Sequence, residues 1–545
     1  MANARHVAQI CAAALCFVLA LWGPQYARRG HWGPDEARFV YIAREMTAAH
    51  SPVIPLRNGE IYAHKPPLMM WLIQIGEAVF GSPFGSRLPT LIGAFLTIVA
   101  LYSIFTYLSD RRTALYAILL SVTSIQIWTV FGRGQIDALL TGLVFSSVAL
   151  FISCHGKVAT IRILPAFLCA GLGILAKGPV GFILPVLIIA AIRLPQKDGR
   201  FPELTPLQWT AGLAVVFLVP ALWLAAAAAL GAPASYFREI VFSQNVSRAG
   251  GGYGHVQPFW YLFAEFPVGF LPWTLILPAA AVIAWRENRV LFRQCMLWML
   301  FILVFFTIPS SKRAVYILTA YPAAALAVAV ASDKIHSRKW FKRAAFAFVL
   351  AIPVLLLVSG FILLFISPVQ CIFPAYLRTG PIIHGFAITC FVAAFLSRLC
   401  AMFLFEPFAE RHTFILPAIS MAAILSCIGG IAMPALGVSK EPQELLPLVE
   451  KHVPPDGRLL LYRMDGELLA LHADRRGWRL DNDHEMLNAM KTEGEGLALF
   501  YDDDGKDSTI RFAPLVRETG VFKIGKRKYG WARFAQQETD DVGSH

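Results

Sequence analysis

Charged residues are scarce in this chain of 545 residues. They make up 15% of the sequence, whereas 57% of the residues are hydrophobic and the mean hydropathy is +0.58. Because soluble domains carry roughly 25% charged residues, this composition excludes a soluble multidomain protein. It also excludes a disordered chain, in which hydrophobicity is low and net charge is high.

Cysteine is present but forms no recognisable pattern. All nine cysteines precede residue 438, most lie inside apolar stretches, and no two are spaced as C-x-x-C. A disulfide scaffold and a cysteine metal site are therefore not indicated.

Long apolar runs are abundant. A bilayer crossing needs roughly 20 apolar residues, and the runs predict an all-α polytopic membrane protein with about thirteen transmembrane helices. The first run follows Arg5 and reads as a retained helix rather than a signal peptide, because no small-residue cleavage site follows it. Pro66–Phe80 is short for a crossing and predicts an interfacial or re-entrant helix in the first outer loop. The predicted spans are 7–22, 87–108, 114–131, 136–153, 161–176, 179–192, 207–230, 268–285, 293–308, 314–331, 344–366, 382–400 and 413–433.

Charge is distributed unevenly along the chain. The net charge is +13, but residues 438–545 carry −4 and the preceding part carries +17. The basic residues sit mainly in short loops, where they favour the cytoplasmic side and imply no nucleic acid. The amino terminus is thus predicted inside and the carboxyl tail outside.

The composition changes after Met433 to mixed charge with alternating apolar residues. Strands are predicted over 458–463, 496–501 and 521–526, with a helix over 483–491. We therefore divide the chain into a transmembrane domain, 1–436, and a small C-terminal α/β domain, 437–545, outside the membrane.

An acidic pair opens the first outer loop, in the run W-G-P-D-E-A-R. Pro34 suits the first turn of a helix, so Asp35 and Glu36 lie at its positive end, with Arg38 one turn on. Neighbouring helical side chains diverge, which gives the two carboxylates separate tasks. The alternative is a capped juxtamembrane helix with solvated charges.

Two histidines fall on the same predicted outer face. His64 precedes Lys65 and two prolines, and His255 ends a glycine-rich loop. The pair predicts a divalent metal site, zinc or similar, against the alternative of ordinary hydrogen-bonded histidines. Lys65 either extends to lipid headgroups or binds a phosphate.

Further charges lie at predicted outer helix ends. Asp137 invites a cationic partner, such as Arg133 or a ligand amine, because a carboxylate at the membrane boundary is costly alone. Singly, Lys177 and Lys312 are explained equally well by contacts with headgroups. Together with Lys65 on one face, they favour an anionic ligand.

In order along the chain, these motifs resemble those of the GT-C superfamily of membrane glycosyltransferases. They are D-E-A-R, H-K-P-P-L-M-M-W-L, R-G-Q-I-D, A-K-G-P, the glycine-rich loop and S-S-K-R-A-V-Y-I-L. Within the superfamily, the chain is most similar to the lipid A aminoarabinose transferases and the protein O-mannosyltransferase clan. One departure is His64, where relatives often have Glu.

The resemblance implies a bacterial inner-membrane enzyme that acts on the periplasmic face. It would transfer a sugar, with inversion, from a polyprenyl-phosphate carrier to an envelope acceptor, and aminoarabinose and lipid A phosphate are the expected pair. It further implies the following site: catalytic Asp35; donor-phosphate binding by Lys65, Lys177, Lys312 and Tyr316; acceptor or sugar binding by Glu36, Arg38 and Asp137; metal near His64 and His255.

Two other functions stay open. A mannosyl-type transfer to protein or another envelope glycan would use the same donor chemistry. A transporter of lipid-linked sugar would place its ionisable residues near mid-membrane, whereas here they gather at one surface.

Overall fold

The computed structural model describes residues 2–154, 157–196, 203–243, 256–335, 338–365, 380–402, 416–438, 440–501, 515–524 and 527–535. The chain forms two compact units. The first is drawn from Met1–Arg28, Ala63–Ser367 and His384–Met433, and the second from Arg29–Tyr62, Pro368–Ile383 and Pro434–His545. The segment Arg29–Tyr62, assigned from sequence to the transmembrane domain, clusters here with the tail.

The first unit is helical. Its helices are α1 (Ala2–Arg28), α3 (Leu68–Phe80), α4 (Leu88–Leu108), α5 (Arg111–Val122), α6 (Ile125–Phe131), α7 (Ile136–Ile152), α8 (Lys157–Lys177), α9 (Val180–Arg193), α10 (Pro206–Ala229), α11 (Ala234–Arg238), α12 (Tyr261–Gly269), α13 (Leu277–Glu287), α14 (Arg289–Thr307), α15 (Tyr321–Val330), α16 (Ser332–Ile335), α17 (Lys339–Phe365), most of α18 (Gly380–Met402) and α19 (Leu416–Cys427). Short 3-10 helices cover Gly85–Arg87, Trp273–Leu275 and Ala314–Ala320, and π-helical turns cover Glu239–Ser243 and Ile428–Ala432.

Several of these helices can cross a bilayer. Within the described ranges, six are long and apolar enough, or up to seven if the bent pair α5 and α6 is one span. Five shorter apolar helices accompany them. The predicted multi-pass membrane protein is therefore confirmed, while the count of thirteen crossings stays a prediction. Helix α3 has the short length predicted for the interfacial segment.

The run predicted as one helix over 114–131 is broken in the structure. Helices α5 and α6 meet at a 70° bend. At the break, the hydroxyls of Thr123 and Ser124 donate to the carbonyls of Leu119 and Ser121. Such bonds from Ser and Thr to the preceding turn bend helices.

Small residues let the central helices pack closely. A Cβ added at Gly93 of α4 would lie 2.3 Å from the carbonyl oxygen of Ala138 in α7, and one at Gly142 would lie 2.6 Å from the carbonyl oxygen of Gly93. Membrane helices associate through small residues of this kind. The contact fixes α7, which carries Asp137 in its first turn.

The second unit combines helices with a mixed sheet. Its helices are α2 (Asp35–Ala48), α20 (Met433–Val438), α21 (Leu445–His452), α22 (Glu467–His472) and α23 (Asp483–Glu493). Its strands are β1 (Leu56–Arg57) and β2 (Glu60–Ile61), which form a hairpin, and β3 (Arg458–Tyr462), β4 (Arg476–Leu480), β5 (Glu495–Tyr501), β6 (Val516–Ile524) and β7 (Arg527–Ala535).

The larger sheet has the order β4-β3-β5-β7-β6. β3 pairs in parallel with β4 and β5, whereas β7 pairs antiparallel with β5 and β6. The predicted helix and all three predicted strands are present, so the small α/β fold is confirmed.

Helix α2 packs against this α/β fold. It begins at Asp35 directly after Pro34, as the sequence predicts. The hydroxyl of Tyr41 accepts a hydrogen bond of 2.8 Å from the amide of Gly477 in β4. The helix that carries Asp35 is therefore anchored to the C-terminal sheet.

Candidate active site

The first unit contains a cavity of about 290 Å³ that is lined by five of the ten predicted site residues. Lys65, Asp137, Lys177 and Tyr316 line it, together with His64. Much of the remaining wall is apolar. The hydroxyl-bearing residues Thr141, Ser311 and Thr319 also contribute, and sequence reasoning missed all three, although Ser311 lies inside the S-S-K-R motif.

A tight helical hairpin positions Lys177. The residue ends α8, and Gly178 then turns the chain with a φ of +85°, a conformation that L side chains rarely adopt. A Cβ at Gly181 would lie 2.0 Å from the carbonyl carbon of Gly173, so α8 and α9 touch backbone to backbone. The A-K-G-P-V-G sequence therefore holds the lysine at the apex of the hairpin.

Lys177 is paired within the cavity. Its Nζ forms a salt bridge with Oδ1 of Asp137, and the two side chains are 13% and 11% exposed. The same ammonium lies 4.8 Å from the ring centroid of Tyr316, a cation–π distance. The cationic partner expected for Asp137 is thus Lys177. Because an ammonium has three N–H donors, the pair leaves Lys177 with capacity for a further anion.

Lys65 approaches the cavity from the start of α3. Its Nζ donates to the carbonyl of His64 at 3.0 Å, and Pro66 and Pro67 stiffen the segment before the helix. The side chain is half-buried. Lys65 and Lys177 are therefore two cations that line one cavity.

Lys312 stands apart from the lining. It is buried, with 4% exposure, and its Nζ donates to the carbonyls of Gln257 at 3.1 Å and Ser310 at 3.5 Å. Its ammonium thus fastens the segment that precedes Tyr316. A direct role for Lys312 at a donor phosphate stays a prediction.

Of the two histidines predicted to bind a metal, the structure describes one, His64. His64 Nε2 lies 3.5 Å from Oε1 of Glu239, a neighbour that no sequence motif predicts. Within the described ranges, no group of three His, Cys, Asp or Glu side chains is arranged to hold a metal, and His255 lies outside those ranges. The metal site therefore stays a prediction, and no chemical step is assigned to a metal.

Asp35 lies in the second unit, at the amino end of α2. Its side chain is 21% exposed, and Oδ1 lies 3.6 Å from a guanidinium nitrogen of Arg38. Arg38 Nε lies 3.5 Å from Oε1 of the buried Glu467. Asp35 therefore keeps access to solvent, while its partner Arg38 also contacts Glu467 of α22.

The electrostatics of this cluster follow from its acidic groups. Burial lowers the pKa of Arg38, but Tyr62 and Glu467 lead the neighbours that raise it by more, so it lies above its ordinary value. Burial is the largest cause that raises the pKa of Tyr62. Arg38 thus remains a fixed cation beside Asp35.

Glu36 is occupied by a structural contact. Both of its carboxylate oxygens accept hydrogen bonds from Arg29, at 3.0 and 2.8 Å, and the backbone amide of Trp32 donates to Oε2. The exposures of Arg29 and Glu36 are 0% and 3%. Glu36 therefore ties the start of α2 to the segment before it, and its role in acceptor binding stays a prediction.

The apolar helices and the lysine-lined cavity are those of a polytopic membrane protein. The family model of dolichyl-phosphate-mannose-protein mannosyltransferases matches residues 64–224, a range that contains Lys65, Asp137 and Lys177. The class that the motifs predict is therefore confirmed.

More specific similarities point in one direction. An undecaprenyl phosphate-alpha-4-amino-4-deoxy-L-arabinose arabinosyl transferase from Pseudomonas aeruginosa (strain LESB58) is 32% identical over 302 residues, or 54% of each chain. A protein of the same name from Pectobacterium carotovorum is 28% identical over 368 residues, or 64% of each chain. The chain thus spans about half the length of the first curated relatives it matches.

Solved structures establish the fold over nearly the whole chain. ArnT from Cupriavidus metallidurans bound to undecaprenyl phosphate superposes with a TM-score of 0.72 at 19% identity, covering 96% of this chain and 97% of that one. The apo state gives 0.70 at 20% identity, with 98% of each covered. The predicted resemblance to the aminoarabinose transferases is confirmed.

Proposed function

We propose that the protein transfers a sugar from a polyprenyl-phosphate carrier to an acceptor in the cell envelope, with aminoarabinose and lipid A phosphate as the specific pair. The observation that carries this proposal is the cavity lined by Lys65, Lys177 and Tyr316. Its cations suit a phosphate, and its apolar walls suit the carrier to which that phosphate is attached. The relatives' printed name, undecaprenyl phosphate-aminoarabinose arabinosyl transferase, supports this donor and sugar.

The charges fit the reaction. The bond between the anomeric carbon and the phosphate oxygen breaks, so positive charge develops at the carbon and negative charge on the departing polyprenyl phosphate. Lys65 and Lys177 stabilise that phosphate, and Tyr316 offers a hydroxyl donor. Cations held in place in a partly apolar site stabilise such a transition state strongly.

Asp137 orients Lys177, the cation that stabilises the leaving phosphate. Its carboxylate holds Lys177 in place, so the ammonium needs little rearrangement as charge grows on the phosphate. Asp137 thereby acts through Lys177 as a positioning residue.

The role of Asp35 depends on the acceptor. A hydroxyl acceptor needs a general base, for which a positioned carboxylate contributes about 10²–10⁴ in rate. A phosphate acceptor is already anionic and attacks the anomeric carbon through one of its oxygens. For that acceptor Asp35 stabilises the positive anomeric carbon or binds the amino group of aminoarabinose.

The proposed location is the bacterial inner membrane, with the C-terminal unit in the periplasm. The excess of basic residues in short loops supports this orientation through the positive-inside rule.

The direct test is a transfer assay with purified protein in lipid. Undecaprenyl-phosphate aminoarabinose and lipid A are supplied, and mass spectrometry follows the mass gained by lipid A. Transfer that is lost in Asp35→Asn and in Lys177→Gln, but kept in the exposed surface variant Arg517→Gln, supports the proposal. Full transfer by Asp35→Asn contradicts the proposed role of the carboxylate.

A second candidate is mannosyl-type transfer to a protein or another envelope glycan. The match of residues 64–224 to the protein mannosyltransferase family favours it. The same assay with polyprenyl-phosphate mannose and an envelope extract separates the two, because the mass added identifies the sugar and the molecule that gains it identifies the acceptor.

A further inference from the structure

The second unit contains a cavity of its own, of about 380 Å³. Three chain segments line it: the carboxyl half of α2, the turn before β3, and the segment from α22 to the start of β4. Each segment contributes at least one arginine side chain. The four arginines are Arg44, Arg458, Arg475 and Arg476. The transfer reaction proposed above uses none of them.

Arg475 is held by the backbone. Its guanidinium donates to the carbonyl of Asp474 at 3.1 Å and to that of Val453 at 3.5 Å. Its Nε is buried and has no hydrogen-bond partner in the structure. A buried donor without a partner is costly, and this guanidinium lines the cavity, so an anion bound in the cavity stabilises its positive charge.

Arg476 is fixed in the same manner. A guanidinium nitrogen donates to the carbonyl of Ala48, the last residue of α2, at 3.3 Å. Within the described part of the chain, neither Arg475 nor Arg476 has a carboxylate within ion-pair distance. Both cations are therefore positioned by neutral carbonyls, while Glu45 of the same lining interacts electrostatically with Arg476.

The carboxylates around the cavity are engaged elsewhere or exposed. Glu45 accepts hydrogen bonds from the backbone amides of Asn58, at 2.7 Å, and Gly59, at 2.5 Å. Asp456 and Asp474 lie in exposed positions. The lining thus holds four arginines against the three acidic residues Glu45, Asp456 and Asp474, and Arg458 also lies 3.8 Å from Glu493.

We propose that this cavity binds a phosphate group carried by a sugar or by a lipid headgroup. Guanidinium groups present paired N–H donors that match phosphate oxygens. Arginines that approach from three segments favour a tetrahedral anion, which accepts hydrogen bonds from several directions, over a carboxylate, which accepts them close to one plane. The site is separate from the lysine-lined cavity of the first unit and does not depend on the proposed transfer reaction.

The test measures phosphate binding to the full chain in phosphatidylcholine nanodiscs. Glucosamine 1-phosphate is titrated by calorimetry into the protein and into the variants Arg476→Gln and Arg475→Gln. Each variant should weaken binding by about tenfold, the effect of losing one charge-assisted contact. Arg517→Gln, an exposed arginine of β6 outside the cavity, is the matched control and should bind as the parent does.

Lys177→Gln separates this site from the first cavity. It should leave intact the glucosamine 1-phosphate binding that the arginine variants weaken, even where it abolishes sugar transfer and any binding in the first cavity. If Lys177→Gln removes the binding and the arginine variants do not, the phosphate lies in the first cavity and the proposal is overturned. Since Arg476 is exposed, its variant keeps the test valid even if Arg475→Gln fails to fold.

Two further arms define the ligand. Adding phosphatidylglycerol to the nanodiscs should compete with the soluble phosphate if the natural source is a lipid headgroup, and should leave binding unchanged if the source is a soluble or sugar-linked phosphate. Acetate should compete only at far higher concentration. Equal competition by acetate, or unchanged binding in the Arg475→Gln/Arg476→Gln double variant, overturns the assignment.

Discussion

Lys177 carries its charge into a partly apolar cavity, and Asp137 is the partner that stabilises it there. Breaking a buried ion pair by removing one member costs up to roughly 3–5 kcal/mol. The cost here should be smaller, because both side chains line a cavity and keep 11–13% of their surface exposed. The pair thus has two roles, in stability and in transfer, and substitutions can separate them.

A double-variant cycle makes this separation. Asp137→Asn and Lys177→Gln should each lower the unfolding temperature, because each leaves an unpaired charge. The double variant should recover most of that loss, since neither charge remains. Transfer should nevertheless fall by about 10²–10³ in every variant without Lys177, the usual effect of losing one preorganised charge stabiliser. Thermal unfolding in detergent and initial transfer rates are the measurements, and recovery of both quantities in the double variant would contradict a role for Lys177 at the phosphate.

Glu467 of α22 contacts Arg38, which in turn lies beside Asp35. It lies 3.5 Å from Arg38, and Arg38 lies 3.6 Å from Asp35. We predict that Glu467→Gln frees Arg38 to pair more closely with Asp35, which lowers kcat by about tenfold, or about 1.4 kcal/mol in the barrier, while KM for the donor changes little. Glu467→Asp should restore part of the rate. A change confined to KM, or to thermal stability, would show that Glu467 has only a structural role.

At the scale of elements, the helical hairpin of α8 and α9 positions Lys177 in the cavity. A methyl group at Gly181 would meet the backbone of Gly173 at 2.0 Å, and backbone cannot move aside cheaply. Gly181→Ala should therefore separate the two helices and destabilise the protein by about 1–3 kcal/mol, with a loss of transfer as Lys177 shifts. Gly23→Ala in α1 is the matched control, because its new Cβ would lie 3.8 Å from the nearest atom. Equal unfolding temperatures for the two variants would contradict this account.

The same scale shows what the sequence can and cannot predict. Isolated apolar runs locate helices such as α4 and α10 to within one or two residues, because hydropathy alone decides where a span ends. The bend at Thr123 was not predicted, since it depends on hydroxyl bonds and on the carbonyl of Leu271, which accepts from Ile125. The joint placement of Lys65 and Lys177 was predicted from motifs on one face, whereas the partnership of Arg38 with Glu467 joins residues too distant along the chain to leave a local signal.

At the scale of the whole molecule, charge asymmetry predicts orientation. The part before residue 438 has a net charge of +17 and the remainder one of −4. Basic residues cluster between the predicted spans, as at Arg111 and Arg112. By the positive-inside rule we expect these loops to remain in the cytoplasm and, with thirteen crossings, the C-terminal α/β fold to lie outside. The proposed transfer requires this orientation, because its acceptor lies on the periplasmic face.

Reporter fusions test this orientation directly. Alkaline phosphatase folds only in the periplasm, where its disulfides form, and green fluorescent protein exported in unfolded form does not fluoresce there. A phosphatase fused after Ala535 should be active and a fluorescent protein at the same position dark, while fusions after Ser109 should give the opposite pair. If Ala535 gives fluorescence and Ser109 gives phosphatase activity, the tail is cytoplasmic, and a transferase that meets its acceptor in the periplasm is excluded. Because the two reporters respond in opposite senses, poor expression of one fusion cannot mimic the expected pattern.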